Sequence, residues 1–265
     1  MTKGDLAGKW ALILGASSGF GRAVAKELSR GGMHIIGVHL DRRTTLPAVE
    51  EVIQAVEAHG VQAHFFNVNA ADPVKRQEVL DQVGPRLGGA PITVLLHSLA
   101  FGTLKPYLTE DPKDQLTKDQ MEMTLDVMAH SLVYWVQDLL GRKLIRPGSR
   151  IFAMTSSGGA RVWPHYGAVS AAKAALESHV RQLAMELAPY GASANAIRAG
   201  VTDTPALRKI PGHEQMAEYA KIRNPFHRLT TPEEVAQAIA LLAHPSAGWI
   251  TGNVIGVDGG EDIVG

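Results

Sequence analysis

Residues 10–28 read WALILGASSGFGRAVAKEL, and this stretch decides how the chain folds. Trp10 to Leu14 form a short apolar run, as in a buried strand, and glycines follow at positions 15, 19 and 21. The residues after the glycines have helical periodicity through Leu28. Glycines let the backbone approach a pyrophosphate, and a helix N-terminus offers free N–H groups. We therefore predict a dinucleotide site here, with a plain tight turn as the alternative.

The rest of the chain repeats this alternation of short apolar strands with helices of roughly 10 to 15 residues, which is typical of a parallel sheet covered on both faces. We predict a single Rossmann-type, doubly wound α/β domain of about seven strands over residues 1–265. Further strands are expected at 35–38, 63–68, 93–97, 150–154, 193–198 and 254–257. Further helices are expected at 47–58, 73–87, 121–140, 168–188 and 232–243. Residues 205–225 carry prolines and weak periodicity, and we expect them to form a substrate lid.

Composition limits the possible functions. The 265 residues carry no net charge, so the sequence indicates no general attraction to nucleic acid or to a membrane surface. The absence of cysteine excludes disulfides, a thiol nucleophile and a cysteine-ligated metal, and we expect no metal site. No apolar run has the length of a signal peptide or a membrane span. We expect a cytoplasmic enzyme.

The end of the second strand predicts which cofactor is bound. An acid there would bind the ribose hydroxyls of NADH, and an arginine would pair with the 2′-phosphate of NADPH. The chain has both types, in the order Asp41, Arg42, Arg43. We predict NADPH, with NADH possible; the alternative is that Arg42 and Arg43 simply begin an exposed helix.

A phenol and an ammonium group are spaced to share one cleft. Tyr166 lies seven residues before Lys173, close to two helical turns of about 3.6 residues each. A nearby ammonium favours the ionised form of a phenol, and we expect the two to act together. The alternative is a pair of surface residues. We expect His97, which closes a predicted strand, to pack rather than to catalyse.

Several motifs together resemble the short-chain dehydrogenase/reductases over nearly the whole chain. They are Gly15-x-x-x-Gly19-Phe-Gly21, Asn195-Ala-Ile-Arg-Ala-Gly200 with Thr204, and Asp258-Gly-Gly. In most of that family the catalytic Tyr lies four residues before the Lys, where this chain has Val169. The Tyr-x6-Lys spacing instead resembles the enoyl-acyl-carrier-protein reductases, as does His97-Ser-Leu-Ala-Phe101.

The resemblance implies a role for each matching residue. Tyr166 would stabilise the enolate formed when hydride reaches the β-carbon of an enoyl thioester, and Lys173 would bind the nicotinamide ribose. The residues implied for the cofactor are Gly15, Ser18, Gly19, Phe20, Gly21, Asn67, Val68, Ser98, Leu99, Ala100, Gly200, Val201 and Thr204. Phe101 and Trp163 are expected to line the acyl pocket with Tyr166, although Trp163 could instead anchor a loop. An acyl-carrier-protein or coenzyme A thioester would be the substrate, and a homotetramer the assembly.

Some departures keep other functions open. Ser156 falls where carbonyl-reducing members keep a catalytic Ser, and Met128 replaces the Asn of those members. Many enoyl reductases carry a second aromatic residue where this chain has Ser156. The first hypothesis is therefore an enoyl-thioester reductase. The second is a carbonyl reductase or alcohol dehydrogenase using Ser156 and Tyr166, and the third is a dinucleotide-binding protein without catalysis.

Overall fold

Seven short apolar segments form one parallel sheet in the computed structural model, which describes residues 5–264. The strand order is β3-β2-β1-β4-β5-β6-β7, and every neighbouring pair is parallel. The strands are β1 (Trp10–Leu14), β2 (His34–His39), β3 (Ala63–Asn67), β4 (Ile92–His97), β5 (Arg150–Ser156), β6 (Ser193–Ala199) and β7 (Val254–Val257). The prediction of a Rossmann-type α/β fold with about seven strands is confirmed.

Helices cover both faces of the sheet because the strands alternate side chains between two apolar layers. Leu12 and Leu14 pack with one set of helices, and Ala11 and Ile13 with the other. The first set comprises α3 (Pro73–Arg86), α4 (Lys118–Leu125), α5 (Ser131–Gly141) and α6 (Gly167–Leu187). The second set comprises α1 (Gly19–Arg30), α2 (Leu46–Glu57) and α8 (Pro232–Leu242). Strands buried on both faces read as continuous apolar runs, which made them visible in the sequence.

Two segments differ from the expected secondary structure. The helix predicted over 121–140 begins at Lys118 and is interrupted by a π-turn, Asp126–His130, which places Met128 in the core at 2% exposure. The weakly periodic stretch 205–225 contains a regular helix, α7 (His213–Arg223). Its periodicity is weak because the helix buries little beyond Ala220, so few apolar positions are needed. Its action as a lid stays a prediction.

Strand order fixes where a ligand can bind. β1 lies between β2 and β4, so the connections leaving β1 and β4 run in opposite directions across the sheet. In such sheets a crevice opens at the carboxyl ends of the strands at this point. The glycine turn follows β1, and residues 98–101 follow β4, so both lie at this crevice. None of the helices within residues 5–264 is long and apolar enough to span a membrane.

Candidate active site

The turn after β1 depends on the absence of side chains at two glycines. A Cβ on Gly15, which has a φ of +91°, would lie 2.4 Å from the carbonyl oxygen of Ser98. A Cβ on Gly21 would lie 2.0 Å from the carbonyl oxygen of Gly15. These contacts bring the turn against the end of β4 and pack helix α1 onto it. A side chain at either position would push the turn and the helix apart.

The N-terminus of α1 has the donors that a pyrophosphate needs. Ser18 occupies the N-cap position, yet its side chain makes no capping hydrogen bond. The first N–H groups of the helix therefore point outward unpaired by a cap, beside a positive helix dipole end. Gly19 opens toward Thr204, whose methyl would be 3.5 Å from a Cβ there, and Phe20 is half-buried beside them. The turn therefore fits the phosphates of a dinucleotide.

The other predicted cofactor residues lie on the ends of neighbouring strands. Ser98 and Leu99 are half-buried and Ala100 is exposed, directly after β4. Gly200 follows β6 and packs against Thr230, while the Val201 amide donates to Glu261 Oε2 (3.0 Å). The fold thus gathers the glycine turn, the end of β4 and the end of β6 at one crevice. Their individual contacts with a cofactor remain predictions.

At the end of β2 the acid and the two arginines are held differently. Asp41 accepts a hydrogen bond from His39 Nδ1 (2.9 Å), and its side chain is only 14% exposed. Burial raises the pKa of Asp41, but hydrogen bonds from Ser17, Thr45 and His39 outweigh it and lower the pKa. Arg42 and Arg43 are exposed, and within residues 5–264 neither guanidinium pairs with a carboxylate.

Asn67 and Val68, both predicted as cofactor residues, also stabilise this loop. The Asn67 side chain donates to the Asp41 carbonyl (3.0 Å) and accepts from the Asp41 amide (2.9 Å). Val68 donates its amide to the His39 carbonyl (2.8 Å), and its side chain packs on the core. Asn67 and Val68 therefore fix the path of the loop that carries the acid and the arginines.

Tyr166 and Ser156 meet at the carboxyl end of β5. Tyr166 occupies the N-cap position of α6 without a side-chain capping bond, and its ring and the Ser156 hydroxyl both lie against Gly158. The Ser156 oxygen also accepts from the Gly158 amide (3.1 Å), which fixes its position. Burial raises the pKa of Tyr166, and Ser156 opposes this rise. The phenol thus stays protonated at neutral pH and can donate a hydrogen bond.

Lys173 is buried behind this pair. Its side chain is 6% exposed, and Nζ donates to the Met154 carbonyl oxygen (2.6 Å). Burial lowers the pKa of Lys173 to about 8, while the negative charge of Glu177 acts in the opposite direction. The expectation that the ammonium brings the phenol toward ionisation is not seen, since burial raises the pKa of Tyr166 and the opposing effect comes from Ser156. Lys173 is bonded to the backbone, and a cleft shared by Lys173 and Tyr166 stays a prediction.

The residues predicted to line an acyl pocket differ in exposure and contacts, and their part in such a pocket stays a prediction. Phe101 is 56% exposed, so its ring is free to contact a ligand. Trp163 donates its indole N–H to the Pro211 carbonyl (3.2 Å), which joins the loop before Tyr166 to the segment 205–225. This bond fits the role of a loop anchor. Tyr107, in the loop after β4, lies against Gly167 beside Tyr166 and had no signal in the sequence.

Two further residues near Lys173, His97 and Glu177, were not predicted from the sequence as residues of the site. His97 ends β4, is fully buried and bonds Ser131 Oγ through Nε2 (2.8 Å). Burial and the charge of Lys173 lower the pKa of His97 to about 3, so the ring is neutral. The expectation that it packs holds, but it packs beside Lys173. Glu177 accepts a hydrogen bond from Thr155 Oγ1 (2.6 Å), one helical turn beyond Lys173. The signal available in the sequence was that Glu177 lies four residues after Lys173, which places both side chains on one face of a helix.

No group of three or more His, Asp or Glu side chains in the described part of the chain is arranged to hold a metal ion. The polar groups gathered here are the Tyr166 phenol, the Ser156 hydroxyl and the Lys173 ammonium. A buried neutral phenol at the end of a cleft that fits a dinucleotide can stabilise or protonate an oxygen on a second ligand.

Comparisons with known proteins agree with this geometry. The family model described as enoyl-(acyl carrier protein) reductase matches residues 15–261. The chain is 30% identical over 255 residues to 1-cyclohexenylcarbonyl-CoA reductase of Streptomyces collinus, covering 96% of this chain and 86% of that protein. It is 28% identical over 256 residues to a 3-oxoacyl-(acyl-carrier-protein) reductase of Pseudomonas aeruginosa, covering 97% of this chain and 98% of that protein.

A solved structure shows the same likeness. Enoyl-(acyl-carrier-protein) reductase (NADH) from Aquifex aeolicus matches with a TM-score of 0.86 at 26% identity, covering 99% of each chain. The chain therefore belongs to the short-chain dehydrogenase/reductase superfamily, in the family described as enoyl-(acyl carrier protein) reductase, and is an oxidoreductase.

Proposed function

We propose that this protein reduces the 2,3 double bond of an enoyl thioester, carried by acyl-carrier protein or coenzyme A, with NADPH as the cofactor. The observation that carries the proposal is the position of Tyr166. Tyr166 lies at the start of α6, beside Gly158 and seven residues before Lys173, while Val169, at the four-residue position, is buried in the core. The match to a family described as enoyl-(acyl carrier protein) reductase supports the proposal.

The side chains have distinct roles in this reaction. When bound, the reduced dinucleotide would supply a hydride to the β-carbon; the electron pair of the double bond would move toward the thioester oxygen, and the enolate would then take a proton from water at the α-carbon. The Tyr166 hydroxyl donates a hydrogen bond to that oxygen, and the bond strengthens as negative charge develops. Lys173 has three N–H donors, and the bond to Met154 uses one. The other two are free for the hydroxyls of the nicotinamide ribose.

The choice of NADPH rests on the end of β2. The Asp41 carboxylate is occupied by donors from its own chain, whereas the guanidinium groups of Arg42 and Arg43 are exposed and pair with no carboxylate of residues 5–264. An unpaired guanidinium suits a 2′-phosphate, with which it forms bidentate hydrogen bonds. NADH is the alternative, since the similar Aquifex aeolicus enzyme is described with NADH.

Carbonyl reduction is the second candidate, and the position of Ser156 beside Tyr166 favours it. In that reaction the Tyr166 phenol gives its proton to a carbonyl oxygen, and Ser156 holds the same oxygen. The similar Pseudomonas aeruginosa protein is named as a 3-oxoacyl reductase. Ser156 would then be essential, whereas enolate stabilisation needs chiefly the Tyr166 hydroxyl.

Turnover of two thioesters separates the candidates. Loss of reduced-nicotinamide absorbance is measured with crotonyl-coenzyme A and with acetoacetyl-coenzyme A, using NADPH and NADH in parallel. For wild type we expect crotonyl turnover, and for Tyr166→Phe a loss in kcat of about 10²- to 10³-fold, since one oxyanion donor disappears. Ser156→Ala should retain most of that turnover. Activity confined to acetoacetyl-coenzyme A and lost in Ser156→Ala would establish the carbonyl reductase, and tight cofactor binding without any turnover would indicate a non-catalytic binding protein.

The lid and the assembly belong to the same proposal. Residues 205–225 are joined to the loop before Tyr166 by the Trp163–Pro211 bond, and protection of this segment from protease by cofactor plus substrate would test the lid.

A homotetramer follows from the family resemblance, and light scattering of the purified protein would test it.

A further inference from the structure

Two consecutive residues at the end of β5 are bonded by two residues one turn apart on α6. Lys173 Nζ donates to the carbonyl of Met154 (2.6 Å), and Glu177 Oε1 accepts from the hydroxyl of Thr155 (2.6 Å). Residues four apart on a helix lie on the same face. Helix α6 therefore binds the strand end through one positive and one negative side chain. The residue that follows in the strand is Ser156.

The turn after Ser156 rests on the same two side chains. A Cβ on Gly159 would lie 3.3 Å from Glu177 Oε1 and 3.5 Å from Lys173 Cβ. A Cβ on Gly158 would lie 2.5 Å from the Tyr166 ring. The turn is therefore packed between Tyr166 on one side and Glu177 on the other. A shift of the Glu177 carboxylate would move the strand end and this turn together.

Glu177 also supplies the negative charge that faces Lys173. From β4, the neighbouring His97 is neutral, and from the turn, Tyr166 is a neutral phenol. The π-turn that also packs against α6 begins with Asp126, and its His130 bonds His179 further along the helix. Among the groups acting on Lys173, Glu177 alone raises its pKa against the effect of burial.

We propose that Glu177 is a positioning residue for the active site: its carboxylate lies on the same face of α6 as Lys173, across the Gly159 turn, and through Thr155 it fixes the strand end that carries Ser156. The proposal rests on the proposed role of Lys173 in cofactor binding. It does not require that the substrate be an enoyl thioester. Glu177 acts through Thr155 and Lys173.

The test is the pH dependence of NADPH binding, followed by nucleotide fluorescence between pH 6 and pH 10. Glu177→Gln keeps the shape of the side chain and an acceptor for Thr155, but removes the charge. The affinity for NADPH should fall as pH rises, and the midpoint pH of this fall should be about one unit lower in Glu177→Gln than in wild type. Glu177→Asp, which keeps the charge, should restore the wild-type midpoint. Glu186→Gln, an exposed glutamate on the same helix, is the matched control and should change nothing.

Thr155→Val separates the two parts of the role. It removes the hydroxyl bonded to Glu177 but leaves the charge, so the pH midpoint of binding should stay while kcat falls several-fold. A wild-type midpoint in Glu177→Gln would overturn the proposal, as would an equal shift in Glu177→Asp. Binding is read without any thioester, so a shift in Glu177→Gln supports the proposal even if crotonyl-coenzyme A is not turned over.

Discussion

The two ends of the candidate cofactor site hold their positive charges in opposite ways. Lys173, at the proposed nicotinamide end, is buried and bonded to the Met154 carbonyl. Arg42 and Arg43, at the proposed adenosine end, are exposed and unpaired within the described residues. A buried charge is costly and fixed in place, whereas an exposed one is inexpensive and adaptable. The first arrangement suits the orientation of a reacting group, and the second suits selection between similar cofactors.

The cost of the buried charge can be estimated. A pKa lowered from 10.5 to about 8 corresponds to roughly 3 kcal/mol of destabilisation of the charged form in the fold. Between these pH values the folded state binds fewer protons than the unfolded state, so the free energy of unfolding rises with pH across this range. Exposed arginines carry no comparable cost, because water solvates them in both states.

The largest effect is expected for Lys173→Met. Loss of the ammonium should lower kcat/KM about 10³-fold, because the ribose loses its donor and the site loses its charge. The free energy of unfolding should rise by about 2 kcal/mol at pH 7, since the cost of the buried charge exceeds the value of one lost hydrogen bond. Urea unfolding and steady-state turnover measure both quantities.

A second, exposed lysine tests whether burial of the charge causes the expected rise in the free energy of unfolding. Lys118 is exposed at the start of α4, with a side chain 83% accessible. Lys118→Met should leave both turnover and the free energy of unfolding nearly unchanged. If Lys173→Met destabilises the protein, the contrast between costly buried and inexpensive exposed charge is wrong for this site.

The second largest effect concerns His97. The pKa of His97 is lowered to about 3 in the folded state by burial and by Lys173, while an unfolded histidine titrates near 6.5. Below pH 6.5 the His97 ring therefore binds a proton in the unfolded state but not in the folded state, and the free energy of unfolding decreases as pH falls. At pH 4 this loss should reach roughly 3 kcal/mol. His97→Gln keeps a donor for Ser131 and should show a smaller loss of unfolding free energy between pH 7 and pH 4.

An exposed histidine provides the control for this titration. His59→Gln, at the surface after α2, should leave the acid dependence as in wild type. Equal acid dependence in wild type and His97→Gln would show that other groups, and not this buried ring, set the acid limit. Urea unfolding at a series of pH values measures each slope.

The sequence predicted the fold well because the fold rests on local patterns. The inner strands are buried on both faces, so their runs of apolar residues stand out, whereas the edge strands β3 and β7 are only partly buried. The glycine turn after β1 has few alternatives. The helix over 121–140 was only partly predicted, because a π-turn leaves no distinct signature in composition. Helix α7 was missed since a helix that buries little shows no apolar stripe.

The candidate site was predicted less completely, for a different reason. Tyr166, Ser156 and the glycine turn could be placed together because parallel strands end at one edge of a sheet. The bond of Lys173 to Met154 and that of Glu177 to Thr155 join residues about 20 positions apart, and their partners are a backbone carbonyl and an ordinary threonine. Neither partner has a pattern, so these contacts required the structure.

The smallest of these effects is expected at the exposed end of the site, for Arg42→Ala combined with Arg43→Ala. Two charge-assisted contacts to a 2′-phosphate would be lost, so kcat/KM with NADPH should fall about 10- to 100-fold while that with NADH changes little. Because these charges are exposed, the NADPH preference of wild type should itself weaken at high ionic strength. Arg146→Ala, at the opposite end of the sheet, is the control for a general loss of positive charge. If kcat/KM instead falls equally with NADH and NADPH in the double variant, the arginines stabilise the loop and do not bind the phosphate. The Asp41 carboxylate would then be the group that binds the ribose.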